Sequence, residues 1–229
     1  MNRYDSLDKI SYCLGMSLTI EALLNIPEYI DHIILSDKVI KNKQFEQLIA
    51  LTDKYNIEII YDDKQIEKLS LKENCYCIGF FHKYSSSLKT DKHILLYQFK
   101  DYGELGTIIR SAISFDFKDL VLIDSDIDYF DPRCIRASMG SIFHCNIIRY
   151  KTIQDYLDDY QYNLYPFVSN SDKDLDDLNL ITPYALLLSE DYFGLDDMQG
   201  YSIKHHQLNE ISLSIRSSII LYKAFSIKS

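Results

Sequence analysis

Short apolar runs alternate with helix-patterned stretches along most of the chain. That alternation limits the fold more than any single residue does. In the first third, HIIL (32–35), IEIIY (57–61) and CYCIGFF (75–81) read as strands. MSLTIEALLN (16–25) fits a helix that ends near Pro27. Phe45, Leu48, Ile49 and Thr52 recur at helical spacing, and 66–69 fit a short helix. The polar, serine-rich HKYSSSLKTDKH (82–93) has neither period and holds a linker at 85–92. The alternation then resumes. HILLYQF from His93, LVLI (120–123), 146–148, 164–168 and 185–188 read as strands. Helical patterns cover the stretch after Asp101, a segment opened by Pro132, residues 152–160, and 213–225. An acidic loop, SNSDKDLDDLN, occupies 169–179. Strands separated by helices predict an α/β fold with a mostly parallel sheet, and ligands near the carboxyl ends of its strands. The expected division is a small α/β domain over 1–84, the linker, and a second α/β domain over 93–229.

The bulk numbers narrow the class. At 229 residues and 47% hydrophobic, the chain is long enough for one or two packed domains. A net charge of -10 argues against non-specific nucleic-acid binding but leaves room for a local basic site. The five cysteines form no CxxC pair and no zinc spacing, so reduced thiols in a cytoplasmic protein are expected. MNRYDSLDKI lacks the apolar core of a signal peptide, and no run of about 18 apolar residues suggests a membrane span.

Two stretches carry residues suited to phosphate. In DYGELGTIIRSA (101–112), Leu105, Ile108, Ile109 and Ala112 form a helical core stripe. Arg110 falls opposite that stripe, with Gly106 one turn before it on the same outer face. The stretch fits a phosphate-holding turn or an ordinary helix start. DPRCIRASMGSIFH (131–144) joins Arg133 and Arg136 to the small residues Ala137, Ser138, Gly140 and Ser141. It fits a phosphate site or a tightly packed connection. Asp124, Asp126, Asp128 and Asp131 lack the glycine and distal glutamate of a calcium loop, so no metal is expected. His205 and His206 are adjacent and read as surface loop residues.

Taken together, ELGTIIRSA, RASMGSIFH and the ordered series LLLSEDYFGL, SIKHH and SLSIRSSIILYKA resemble the SpoU/TrmH family of RNA 2′-O-ribose methyltransferases. The resemblance covers nearly the whole chain. It implies a second domain tied in a trefoil knot, preceded by a small RNA-binding α/β domain. It also implies S-adenosylmethionine as cofactor, ribosomal or transfer RNA as substrate, and a homodimer formed in part by the apolar C-terminal helix. Arg110 matches the arginine to which activation of the ribose hydroxyl is assigned. Because arginine is a poor base, phosphate binding and orientation are the expected part of that role. Ser189, Ile203 and Leu213 fall where main-chain groups hold the cofactor, with Gly194 in the same motif. Glu104, Arg136, Ser138, Asp191 and Ser214 fall on the RNA or substrate side. Several positions depart from the family pattern: Glu104 and Ser214 replace asparagines, Ser189 a glycine, Lys204 a proline and Arg216 a serine. These departures imply an alternative, a relative that binds RNA or assists assembly without catalysis.

Overall fold

The computed structural model describes residues 4–70, 74–168, 171–190, 195, 198–203 and 211–227. In chain order the elements are β1 (Ile10–Leu14), α1 (Met16–Asn25), β2 (Ile30–Leu35), α2 (Lys43–Tyr55), β3 (Glu58–Tyr61), α3 (Asp63–Leu69) and β4 (Cys77–His82). Then follow β5 (Lys92–Tyr97), α4 (Tyr102–Ser114), β6 (Asp119–Ile123), α5 (Pro132–Ala137), β7 (Asn146–Tyr150), α6 (Ile153–Asp159), β8 (Asn163–Pro166), β9 (Tyr184–Ser189) and α7 (Leu213–Ser226). They form two compact units. One joins residues 1–84 to 128–144, and the other joins 85–127 to 145–229.

The first unit carries a four-stranded sheet in the order β1-β4-β2-β3. β2 and β3 run parallel, while β4 runs antiparallel to both β1 and β2. Alternation of helix and strand here yields a mixed sheet. Local capping fixes the helix starts. The Asn42 side chain accepts from the amides of Gln44 and Phe45 at the head of α2, and Asp62 accepts from Gln65 at the head of α3. Segment 128–144 belongs to this unit, a placement that differs from the expected boundary at the linker. Local periodicity marks α5 as a helix but does not say which sheet it joins. Gly140 explains part of the packing. Its φ is +84°, and a Cβ there would lie 3.1 Å from Cβ of Glu21 on α1.

The second unit is a five-stranded sheet, β7-β6-β5-β9-β8, and every pairing in it is parallel. β5, β6 and β9 are buried along almost their whole length, as strands covered on both faces require. Leu95, Val121, Ile123, Ala185 and Leu187 form one apolar cluster with Tyr156 of α6. After β9 the chain returns to the sheet's edge. Tyr201 donates its amide to the Pro166 carbonyl and accepts from the Val168 amide, both at 2.9 Å. Ser202 is bonded in the same way to Lys173 (3.0 Å) and Leu175 (2.9 Å) on its other side. Residues 201–202 therefore lie between 166–168 and 173–175, bonded to both. Gly200 makes this passage possible, because a Cβ there would stand 2.4 Å from the Pro166 carbonyl oxygen.

Candidate active site

In the second unit, α4 and α7 bring two of the sequence stretches together. Asp101 caps α4 by accepting from the Glu104 amide at 2.7 Å. Leu105, Ile108, Ile109 and Ala112 are buried as the stripe predicts. Gly106 is buried as well, a correction to its expected place on the outer face with Arg110. The buried arc of α4 is wider than its apolar stripe, since the helix also packs against α7. Two hydroxyl contacts join the helices. Ser214 donates to a Glu104 carboxylate oxygen at 3.2 Å, and the hydroxyls of Ser111 and Ser218 lie 2.8 Å apart. Arg110 is exposed, and its guanidinium has no partner among the described residues.

Ser189, Ile203 and Leu213 line one pocket at the carboxyl end of β9. Leu188, Tyr201 and Arg216 line it too. Ser189 closes β9 in extended backbone and is buried, so serine sits there without the left-handed conformation that would favour glycine. The pocket's free volume is only about 10 Å³. That is room for roughly one water, while sites for small molecules run to about 300–1,000 Å³. That space, in this conformation, is too small for an adenosyl cofactor. Arg216 is one of the residues that line this small space. It is 8% exposed, and its Nη2 donates to the carbonyls of Ser189 (3.4 Å) and Glu190.

The other expected residues fall elsewhere. Arg136 and Ser138 belong to the first unit. Arg136 is exposed with no partner among the described residues, while Ser138 is buried and donates its hydroxyl to the Ile135 carbonyl at 2.9 Å. Arg133 is held by Asp131, which also caps α5. Asp128 accepts from Tyr4 and from Lys83 (2.8 Å), and Asp124 from Gln98 (2.7 Å). These carboxylates serve caps and pairs. Asp191, Gly194, Lys204, His205 and His206 lie outside the described residues. All five cysteines are free. Burial raises the thiol pKa of Cys13 to about 11 and of Cys77 to about 12, which keeps both protonated and inert.

Sequence reasoning saw Arg216 as a departure but not as a pocket residue. The available signal was its spacing, three residues after Leu213 and four before Ile220, within an apolar helix stripe.

A family model for the SpoU rRNA Methylase family matches residues 91–206, just over half of the chain. The chain belongs to the SpoU rRNA Methylase family. Among curated relatives, it is 24% identical over 152 residues to the 23S rRNA (guanosine(2553)-2'-O)-methyltransferase RlmP of Bacillus subtilis (strain 168). That match covers 62% of this chain and 61% of the relative. The chain thus spans less than two thirds of that relative's length. Among solved structures, it resembles the SpoU methyltransferase AviRb from Streptomyces viridochromogenes in complex with AdoMet, with a TM-score of 0.80 and 17% identity. That likeness covers 95% of this chain and 89% of the other. The AdoMet-bound rRNA methyltransferase from Sinorhizobium meliloti gives a TM-score of 0.77 at 22% identity, covering 94% of this chain and 87% of that one. At these identities the two structures establish the fold.

Proposed function

We propose that this SpoU-family chain is an RNA 2′-O-ribose methyltransferase that uses S-adenosylmethionine and acts on ribosomal RNA, with transfer RNA the alternative. One observation carries the reading. Ser189, Ile203 and Leu213, the three positions matched to main-chain cofactor contacts, converge on one pocket at the carboxyl end of β9. The names of the relatives point the same way.

S-adenosylmethionine supplies a methyl group activated on a sulfonium. The rest is the work of this chain's residues. Main-chain groups around the end of β9 would hold the adenosyl part. Arg110, exposed and unpaired among the described residues, offers up to five donors to an RNA phosphate and orients the ribose. Holding the two reactants in line is worth several orders of magnitude in rate. Arg136 of the first unit, likewise exposed, is of a residue type suited to an RNA phosphate. A trefoil knot in the second unit is supported by residues 201–202 lying between 166–168 and 173–175. A homodimer is supported by Ile215, Ile219, Tyr222 and Phe225, an exposed apolar stripe along α7. The reading implies a cytoplasmic place of action.

The alternative is a chain that binds RNA without transferring a methyl group. Titration calorimetry with S-adenosylmethionine, paired with a methyl-transfer assay on ribosomal RNA, separates the two. The methyltransferase reading expects heat of binding at millimolar cofactor. It also expects Arg110→Ala to bind cofactor within about twofold of the wild type while transferring about 100-fold less methyl. No binding and no transfer by the wild-type protein, with RNA affinity intact, would sustain the second reading instead.

A further inference from the structure

We infer that Arg216 is an internal plug of the cofactor pocket, an arginine that S-adenosylmethionine must displace in order to bind. The inference rests on the methyl-donor reading of that pocket and adds what controls entry to it.

Three observations carry it. First, Arg216 lies on the inner face of α7, in line with the buried Leu213, Ile220 and Ala224 and beside the buried Ser214 and Ser217. A guanidinium is costly in such a stripe unless polar groups receive it. Second, polar groups do receive it. Its Nη2 donates to the Ser189 carbonyl at 3.4 Å and to the Glu190 carbonyl. These are main-chain groups at the carboxyl end of β9, the place in a parallel sheet where a ligand is expected. Third, the pocket it enters is lined by Ser189, Ile203 and Leu213 and keeps only about 10 Å³ free. The arginine and an adenosyl group compete for one space and for one stretch of backbone.

The placement has a direct consequence. Ligand affinity falls by the fraction of molecules in which the competent state exists. A plug held by hydrogen bonds makes that fraction small. Opening requires loss of those bonds and rotation of one long, flexible side chain, with no change in the order of the strands.

The experiment compares the wild-type protein with Arg216→Ser, titrating each with S-adenosylmethionine by calorimetry. Circular dichroism melts check that both are folded. The plug predicts that Arg216→Ser binds at least tenfold more tightly. Arg216→Gln, shorter but still polar, is the second variant should the serine protein fail to fold, and is predicted to bind more tightly than the wild type as well. Binding by the serine variant alone supports the plug while contradicting cofactor use by the wild-type chain. Equal binding overturns the plug and leaves the methyl-donor reading standing. No binding by any of the three overturns both.

Discussion

Glu104 and Ser214 stand 110 positions apart, and each replaces an asparagine of the family pattern. In the fold they are hydrogen-bonded to each other at 3.2 Å. A carboxylate that would repel an RNA phosphate is thus engaged by a hydroxyl from α7, and it also sits in the first turn of α4, where the helix dipole favours an acid. The two departures act as a pair. A double-mutant cycle on Glu104→Ala and Ser214→Ala, read by urea unfolding, should return a coupling of about 0.5–1 kcal/mol. Strict additivity would show that the contact carries no energy. Each substitution is visible in the sequence. The pairing is not, because it depends on the packing of α4 against α7.

At the scale of elements, two features of the second unit give measurable effects. His93 on β5 is fully buried, with Nδ1 2.8 Å from the Tyr156 hydroxyl and Nε2 3.0 Å from the Thr90 carbonyl. Burial lowers its pKa below the usual value, and nearby Asp119 only partly opposes this. The folded chain therefore keeps a neutral imidazole, while the unfolded chain takes up a proton as pH falls through about 6.5. Stability is present above that value and is lost below it. Asp119 acts in the same direction at lower pH. Its own burial raises its pKa, but hydrogen bonds from Thr90, Asn146 and Lys89 outweigh that and leave it lowered. The melting temperature should fall between pH 7.5 and 5.5, and His93→Gln should flatten the fall. An unchanged slope in that variant would assign the effect elsewhere. Gly200→Ala would push a Cβ to 2.4 Å from the Pro166 carbonyl oxygen. Urea unfolding should show a loss of about 1–3 kcal/mol. The sequence marked most elements closely, and α1 spans Met16–Asn25 as its apolar spacing predicts. It missed β1, ISYCL, whose five residues lie directly before α1 and whose partner β4 is far along the chain.

Across the whole molecule, strand-helix alternation predicted a mostly parallel sheet, and the second unit is entirely parallel. Strand order was not legible. β9 lies between β5 and β8, and segment 128–144 joins the first unit, because local patterns mark elements without naming their neighbours. Motif order singled out Ser189, Ile203 and Leu213, and these three line one pocket. The exposed stripe on α7 predicts a dimer that Ile215→Asp with Tyr222→Asp converts to a monomer, read by light scattering. A monomeric wild-type protein at micromolar concentration would remove that proposal. Methyl transfer to a ribose hydroxyl is read by nucleoside mass spectrometry of ribosomal RNA. RNA incubated with the protein and methyl-labelled S-adenosylmethionine should yield a labelled 2′-O-methylnucleoside with the wild-type protein and about 100-fold less with Arg110→Ala. Label on a base, or no label with either protein, would contradict the account.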